Sequence, residues 1–252
     1  MRRHPLRVLW RLGHFLLVAF LALADFLFRH QLAGRLSYRD RASWAHAWGA
    51  QFLRCLNIQL TASGTPPPNG ILVANHLSYL DIVVLAASQP LVFVSKSEVR
   101  AWPLIGWLVR CAGTLFVNRQ RKADVASVAP TFAPVIAENV ILVLFPEGTS
   151  SGGDQVLPFM SSLLEPAAAN RWPVAPAHLA YSLDDGSARD EVCYWRDMTF
   201  FPHLLNLLSK KTIHAKVCYG PQIPPGLDRK QMARLLHEQV SALGKPTPNA
   251  QR

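Results

Sequence analysis

Two short apolar runs set the frame for this chain. Ile71-Leu72-Val73-Ala74 and the six residues 140–145 carry no polar alternation and are too short for core helices. Runs of this kind suit strands buried on both faces of a sheet. Each empties into a polar, turn-rich segment. The first leads into Asn75-His76-Leu77-Ser78-Tyr79-Leu80-Asp81, the second into Pro146-Glu147-Gly148-Thr149-Ser150-Ser151. Two strand ends of this character point to one active site assembled at the edge of a sheet.

From Ile58 onward, short β-like runs alternate with helical patterns. Strands are expected at 58–62, 71–74, 91–95, 114–117, 140–145, 174–180 and 213–219. Helices are expected at 78–87, 103–111, 160–170 and 228–243. Residues 121–138 also read as helical, with Pro130 and Pro134 kinking or splitting them. Such alternation predicts an α/β fold: a mixed, mostly buried sheet flanked by helices, preceded by N-terminal membrane-associated helices. The expected division is 1–57 for those basic, apolar helices and 58–252 for the α/β domain. The apolar stretch 200–208 reads as a core helix, a lid or a second membrane contact.

Charge separates the two parts. The net charge is +10, and residues 1–60 hold nine Arg, no Lys and only Asp25 and Asp40 as acids. Arg2, Arg3, Arg7 and Arg11 precede the apolar stretch 15–24, which Asp25 interrupts before Phe26-Leu27-Phe28. A basic, apolar end suits an anionic membrane, where each cation contributes roughly 1 kcal/mol. The clean stretch is shorter than the roughly 20 residues of a spanning helix. An anchor, spanning or interfacial, is the leading reading. A cleaved leader with Ala22-Leu23-Ala24 as its site, and a buried core helix, are the alternatives. A second amphipathic stretch, 41–56, carries Trp44, Trp48 and Phe52, which suit either a headgroup boundary or packing on the domain. Nucleic acid is not expected, since no basic-aromatic interleaving or binding motif is present. Cys55, Cys111, Cys193 and Cys218 form no CxxC pair and read as reduced thiols of a reducing compartment.

The chemistry-bearing residues sit at the two strand ends. His76 stands five residues before Asp81. A carboxylate on one imidazole nitrogen fixes the tautomer and leaves the other nitrogen as a base. Ser78 and Asp81 also spell a capping box, which places Asp81 in the first turn of the next helix. No HxH or HxxxH accompanies His76, so no metal is expected. The segment after Phe145 is rich in small and hydroxyl residues, and its backbone N–H groups can form an anion-binding nest. Glu147 is expected to bind a hydroxyl or hold that loop. Arg119 is a candidate cation for an anionic group, although the segment alone reads more simply as a solvated arginine after a strand. Gly148-Thr149-Ser150-Ser151-Gly152 also matches G-x-S-x-G, the nucleophile elbow of serine hydrolases, which requires a helix directly after the turn.

Together these segments resemble the glycerolipid (lysophospholipid) acyltransferase family, in particular bacterial 1-acyl-glycerol-3-phosphate acyltransferases. Asn75-His76 through Asp81 is similar to its N-H-x-x-x-x-D block. Gly113-Thr114-Leu115-Phe116-Val117-Asn118-Arg119 is similar to the second block, Phe145-Pro146-Glu147-Gly148-Thr149-Ser150 to F-P-E-G-T-R, and Val174-Ala175-Pro176-Ala177 to the fourth. Cys193-Tyr194-Trp195-Arg196-Asp197-Met198-Thr199-Phe200 resembles a bacterial branch. One departure stands out: Ser150 occupies the place of the usual arginine, as in other bacterial members with serine or threonine there, and Arg119, Lys96 and Arg100 are the candidates to compensate. The resemblance implies acyl transfer from acyl-CoA or acyl-carrier protein, as co-substrate, to the hydroxyl of a lysophospholipid. The first acceptor is 1-acyl-glycerol-3-phosphate; another lysolipid such as lyso-ornithine lipid is the alternative. His76 and Asp81 would be catalytic, and Arg119, Glu147, Gly148, Thr149 and Ser150 would bind substrate. Neither cofactor nor metal is implied. The implied location is the cytoplasmic side of the bacterial inner membrane. A serine lipase and a membrane-docked lipid-binding protein are the rival classes.

Overall fold

The computed structural model describes residues 4–102, 104–117 and 129–245. It begins with two long helices, α1 (Pro5–Ala33) and α2 (Tyr38–Leu56). Strands β1 (Ile58–Ser63) and β2 (Ile71–Ala74) follow, then α3 (Leu80–Ser88), β3 (Leu91–Lys96), α4 (Ile105–Cys111) and β4 (Leu115–Val117). The next elements are α5 (Ala129–Ala137), β5 (Ile141–Leu144), α6 (Glu165–Asn170) and β6 (Val174–Leu183). A short α7 (Ala188–Glu191), α8 (Phe200–Ser209), β7 (Ile213–Tyr219) and α9 (Arg229–Leu243) complete the described chain.

Among the described residues the strands form one seven-stranded sheet in the order β1-β7-β6-β2-β5-β3-β4. β6 and β7 pair antiparallel, and the other pairs are parallel. The sheet is therefore mixed, as the alternation of patterns predicts. Successive side chains of a strand face opposite sides, and β2 shows the consequence. Leu72 and Ala74 join α3, α8 and the end of α2 in one core, while Ile71 and Val73 join α5, α6 and α9 in the other. All four β2 residues are completely buried. A strand with both faces covered cannot alternate polar and apolar residues, which is why the run is continuous in the sequence.

The expected strands match the observed ones within a few residues. Differences in the helices have local causes. The expected helix 160–170 is a 3₁₀ turn, Ser161–Leu164, followed by α6, because Pro166 opens a new helix rather than continuing one. α5 carries Pro134 in its interior; the rest of the expected 121–138 helix falls partly outside the described residues. α3 starts at Leu80, not Ser78, and its N-cap Tyr79 makes no side-chain cap bond. The Ser78–Asp81 capping box does not form as expected, because the Ser78 hydroxyl is buried without a partner.

α1 lies along the domain on one face. Val18, Ala19, Ala22 and Phe26 are buried against α2 and α4. Its start is fixed by Arg7, which donates to Ser209 O at 2.8 Å, and by Arg11, whose buried guanidinium caps carbonyls at the end of α8, including Lys210 O and Lys211 O. The interrupting Asp25 pairs with Arg29 and accepts from Trp48 Nε1 at 2.8 Å. Trp44 donates to Ala22 O at 3.2 Å. The tryptophans of α2 thus pack on the protein. α8 buries His203, Leu207 and Leu208 and exposes Phe201 and Leu205. The four cysteines are free. Burial pushes the Cys55 and Cys111 thiols up to about 11 and Cys193 up to about 12, which holds all three in the protonated form near neutral pH.

Candidate active site

β2 and β5 are parallel neighbours with Val73 opposite Leu144. Their C-terminal ends are therefore level, and the segments starting at Asn75 and Phe145 leave the sheet side by side. Asn75 keeps the first segment in line. Its amide exchanges two hydrogen bonds with Leu179 of β6, 2.7 Å and 2.9 Å, extending the ladder by one side chain.

His76 follows at the exit. Its Nδ1 lies 2.7 Å from Asp81 Oδ2. A carboxylate only accepts, so Nδ1 carries the proton and Nε2 is the free nitrogen. Asp81 is fully buried and saturated with donors. Oδ2 also accepts from Leu77 N at 2.7 Å and Ser78 N at 3.0 Å, and Oδ1 accepts from the Tyr181 hydroxyl at 2.7 Å. The imidazole stacks on Phe145, ring centres 4.3 Å apart. The ring is thus held on its face by the residue that follows β5 and on its edge by Asp81 of α3, which Tyr181 of β6 holds in turn.

Glu147 supports the same loop from behind. Its Oε1 accepts from His76 N at 3.0 Å, and Leu157 N donates to the same carboxyl. Its other oxygen is buried without a partner. Burial pushes this carboxyl up to about 7, the two N–H donors pull it back, and the charge of Asp81 adds a smaller upward push. Further stitches bind the loops together: Ser151 N donates to His76 O at 2.9 Å and Tyr194 N to Leu77 O at 2.8 Å.

A cavity of about 420 Å³ opens beside His76. At its polar end stand His76, Gly148, Thr149, Ser150, Lys96 and Arg196. Gly148 has φ 74, a turn conformation open to glycine, which bends the chain around the opening. The remainder is apolar, running between α2, α3 and α4 to residues such as Trp44, Trp48, Phe52, Val83, Leu108 and Val109. Tyr79 also faces it. Its hydroxyl donates to His203 Nδ1 at 2.9 Å, and His203 Nε2 donates to Cys193 O at 3.1 Å. Burial lowers the His203 pKa, keeping this ring neutral in that chain of bonds.

The sequence candidates divide by position. His76, Gly148, Thr149 and Ser150 meet at the cavity, with Asp81 directly behind His76. Glu147 is nine-tenths buried beneath the loop, away from the cavity lining. Arg119 lies outside the described residues. The G-x-S-x-G pattern is not an elbow here: the Ser150 hydroxyl donates to Tyr194 O, and the chain stays irregular from 151 to 160. Tyr181 and Arg196 were not foreseen. Nothing local to Tyr181 marks it, since only the pairing of β6 with β2 brings it to Asp81. Arg196 lies in a stretch whose resemblance was visible although no role could be assigned.

Comparison with known proteins agrees with this geometry. Residues 58–180 match the family model Acyltransferase. The chain is 35% identical over 196 residues to a lyso-ornithine lipid O-acyltransferase of Pseudomonas aeruginosa, covering 77% of this chain and 75% of that one. It is 32% identical over 182 residues to a 1-acyl-sn-glycerol-3-phosphate acyltransferase of Neisseria gonorrhoeae, covering 71% and 70%. In fold it is similar to the crystal structure of the 1-acyl-sn-glycerophosphate acyltransferase PlsC of Thermotoga maritima, with TM-score 0.68 over 94% of this chain and 92% of that one, at 19% identity. With a histidine–aspartate pair at the mouth of an apolar cavity and relatives of this likeness, the chain belongs to the acyltransferase family of lysolipid-acylating enzymes.

Proposed function

We propose that this acyltransferase moves a fatty acyl group from a thioester, acyl-CoA or acyl-carrier protein, to the free hydroxyl of a lysolipid. The observation that carries the reading is the His76–Asp81 pair at the polar end of a long apolar cavity. His76 Nε2 takes the proton of the acceptor hydroxyl as its oxygen attacks the thioester carbonyl. The C–O bond forms, and the tetrahedral oxyanion develops beside the turn of Gly148 and Thr149 that lines the cavity. The C–S bond then breaks, and the departing thiolate takes the proton back from His76. Asp81 holds the ring and stabilises its charged form. Tyr181 is a positioning residue acting through Asp81. The apolar cavity takes an acyl chain.

The first acceptor is 1-acyl-glycerol-3-phosphate, giving phosphatidic acid. Lyso-ornithine lipid is the second reading, favoured by the likeness to the Pseudomonas enzyme and by a similar relative, 34% identical, from Brucella abortus. We infer that α1 docks on the membrane surface. Leu6, Trp10, Leu17, Phe20 and Phe28 are exposed on it. It is long and apolar enough to cross a bilayer. Yet it is bound to the domain from Arg7 to Phe26, roughly 28 Å of its length, which favours lying in the interface over spanning. The free thiols fit an active site on the cytoplasmic side.

The test is transfer by purified protein in detergent. Each lysolipid is offered separately with acyl-CoA and with acyl-carrier protein. His76→Ala lowers kcat by about 10²–10⁴-fold while its melting curve is kept. Tyr181→Phe strips a donor from buried Asp81. It lowers kcat by about tenfold with KM kept, a loss within the range of one such bond. Full activity in His76→Ala sinks the mechanism.

A further inference from the structure

An anionic acceptor headgroup calls for a cation, and Ser150 stands where the resembling block usually carries one. The structure places a different arginine at the same opening. The Ser150 hydroxyl donates to Tyr194 O, tying the turn after β5 to the segment that follows α7. Tyr194 N donates to Leu77 O at 2.8 Å, tying that segment to the His76 loop as well. Two residues on, Arg196 lines the cavity alongside His76 and Thr149.

Two observations set Arg196 apart from an ordinary solvated arginine. Its φ is 54, a left-handed conformation that costs a side-chain-bearing residue about 1–2 kcal/mol. Backbone strain of this sort is kept where the position is constrained. Its guanidinium is also docked, 4.0 Å over the Trp195 ring. Arg189 lies on the same ring at 4.7 Å, but it is neutralised by Asp154. Among the described residues no carboxylate pairs with Arg196. A held guanidinium, stacked by one face and unpaired, offers its N–H fork to a planar or tetrahedral oxyanion group.

We propose that Arg196, tethered through Ser150 and stacked on Trp195, binds the anionic headgroup of the acceptor lysolipid, a phosphate or a carboxylate. The inference rests on the acyl-transfer reading above. It makes Ser150 the holder of the headgroup cation rather than its replacement. Lys96, exposed at the same opening, adds charge without a fixed geometry.

The experiment measures acceptor and donor KM for wild type, Arg196→Gly and Arg196→Lys, with thermal melts of each. Acceptors are 1-acyl-glycerol-3-phosphate, lyso-ornithine lipid and neutral monoacylglycerol. Arg196→Gly relieves the left-handed backbone, so its Tm stays level or rises. Its KM for the anionic acceptor rises about ten- to hundredfold, the worth of a charged hydrogen bond. Its kcat and donor KM hold, and its preference for the anionic over the neutral acceptor collapses. Arg196→Lys recovers part of the loss. The arm that collapses, phosphate or carboxylate, names the headgroup. An unchanged acceptor KM in Arg196→Gly, an equal rise for monoacylglycerol, or a shift in donor KM instead overturns the proposal and leaves acyl transfer standing. Absence of transfer by the wild type to any lysolipid brings down the function reading, and this one with it.

Discussion

Ser37 and Asp40 spell the same S-x-x-D pattern as Ser78 and Asp81. The first pair forms a full reciprocal cap on α2, with Ser37 Oγ accepting from Asp40 N at 3.1 Å. In the second, the aspartate is engaged by His76 and Tyr181, and only the loop N–H bonds remain. One pattern serves two ends because the tertiary surroundings supply different donors. Glu147 makes the same point for titration. Its ordinary value is 4.5, and burial carries it to about 7 in the folded chain. Between these values the folded state binds more protons than the unfolded state. Stability therefore falls as pH rises through that window and stays lower above it, by up to roughly 3 kcal/mol. Glu147→Gln keeps an oxygen to accept His76 N–H and removes the titration. Denaturant unfolding at pH 5 and pH 8 is expected to show a wild-type loss that the variant lacks. Parallel losses in both would refute the assignment.

At the scale of elements, the strands were legible because their burial on two faces writes itself as continuous apolar runs. The helices next to proline were less so, since a proline both ends one helix and starts another, as at Pro166. Packing between helices was not legible at all. α2 approaches α3 so closely at Gly49 that a Cβ there would lie 2.9 Å from Ala87 N. Gly49 also lines the cavity. Gly49→Val is expected to push α2 off α3 at a cost of about 1–3 kcal/mol. Its Tm falls by several degrees, and KM rises more for long-chain donors than for short ones. A silent melt would mean the two helices separate freely.

At the scale of the molecule, one face of α1 is bound and the other is largely apolar and uncovered from Leu6 to Phe28. Leu16, Leu17 and Phe20 are each about half exposed or more. Each buries about 1.5–3 kcal/mol of side chain on entering an apolar phase. Replacing all three by Ser is expected to cut sedimentation with phosphatidylglycerol vesicles more than tenfold while leaving transfer in detergent intact. Wild-type binding should weaken in neutral phosphatidylcholine vesicles and at high salt, because the N-terminal charge is basic. Equal sedimentation of variant and wild type would place the membrane contact elsewhere.

By itself the sequence determined the class of fold, the strand positions and the two strand ends where the chemistry gathers. These are encoded locally, in hydrophobic period and turn residues. Tertiary structure alone decided which groups complete the site. Tyr181 reaches Asp81 across 100 residues of chain, and Ser150 meets Tyr194 across 44. Such contacts depend on strand order and on loops stitched across it, and no local pattern carries that information.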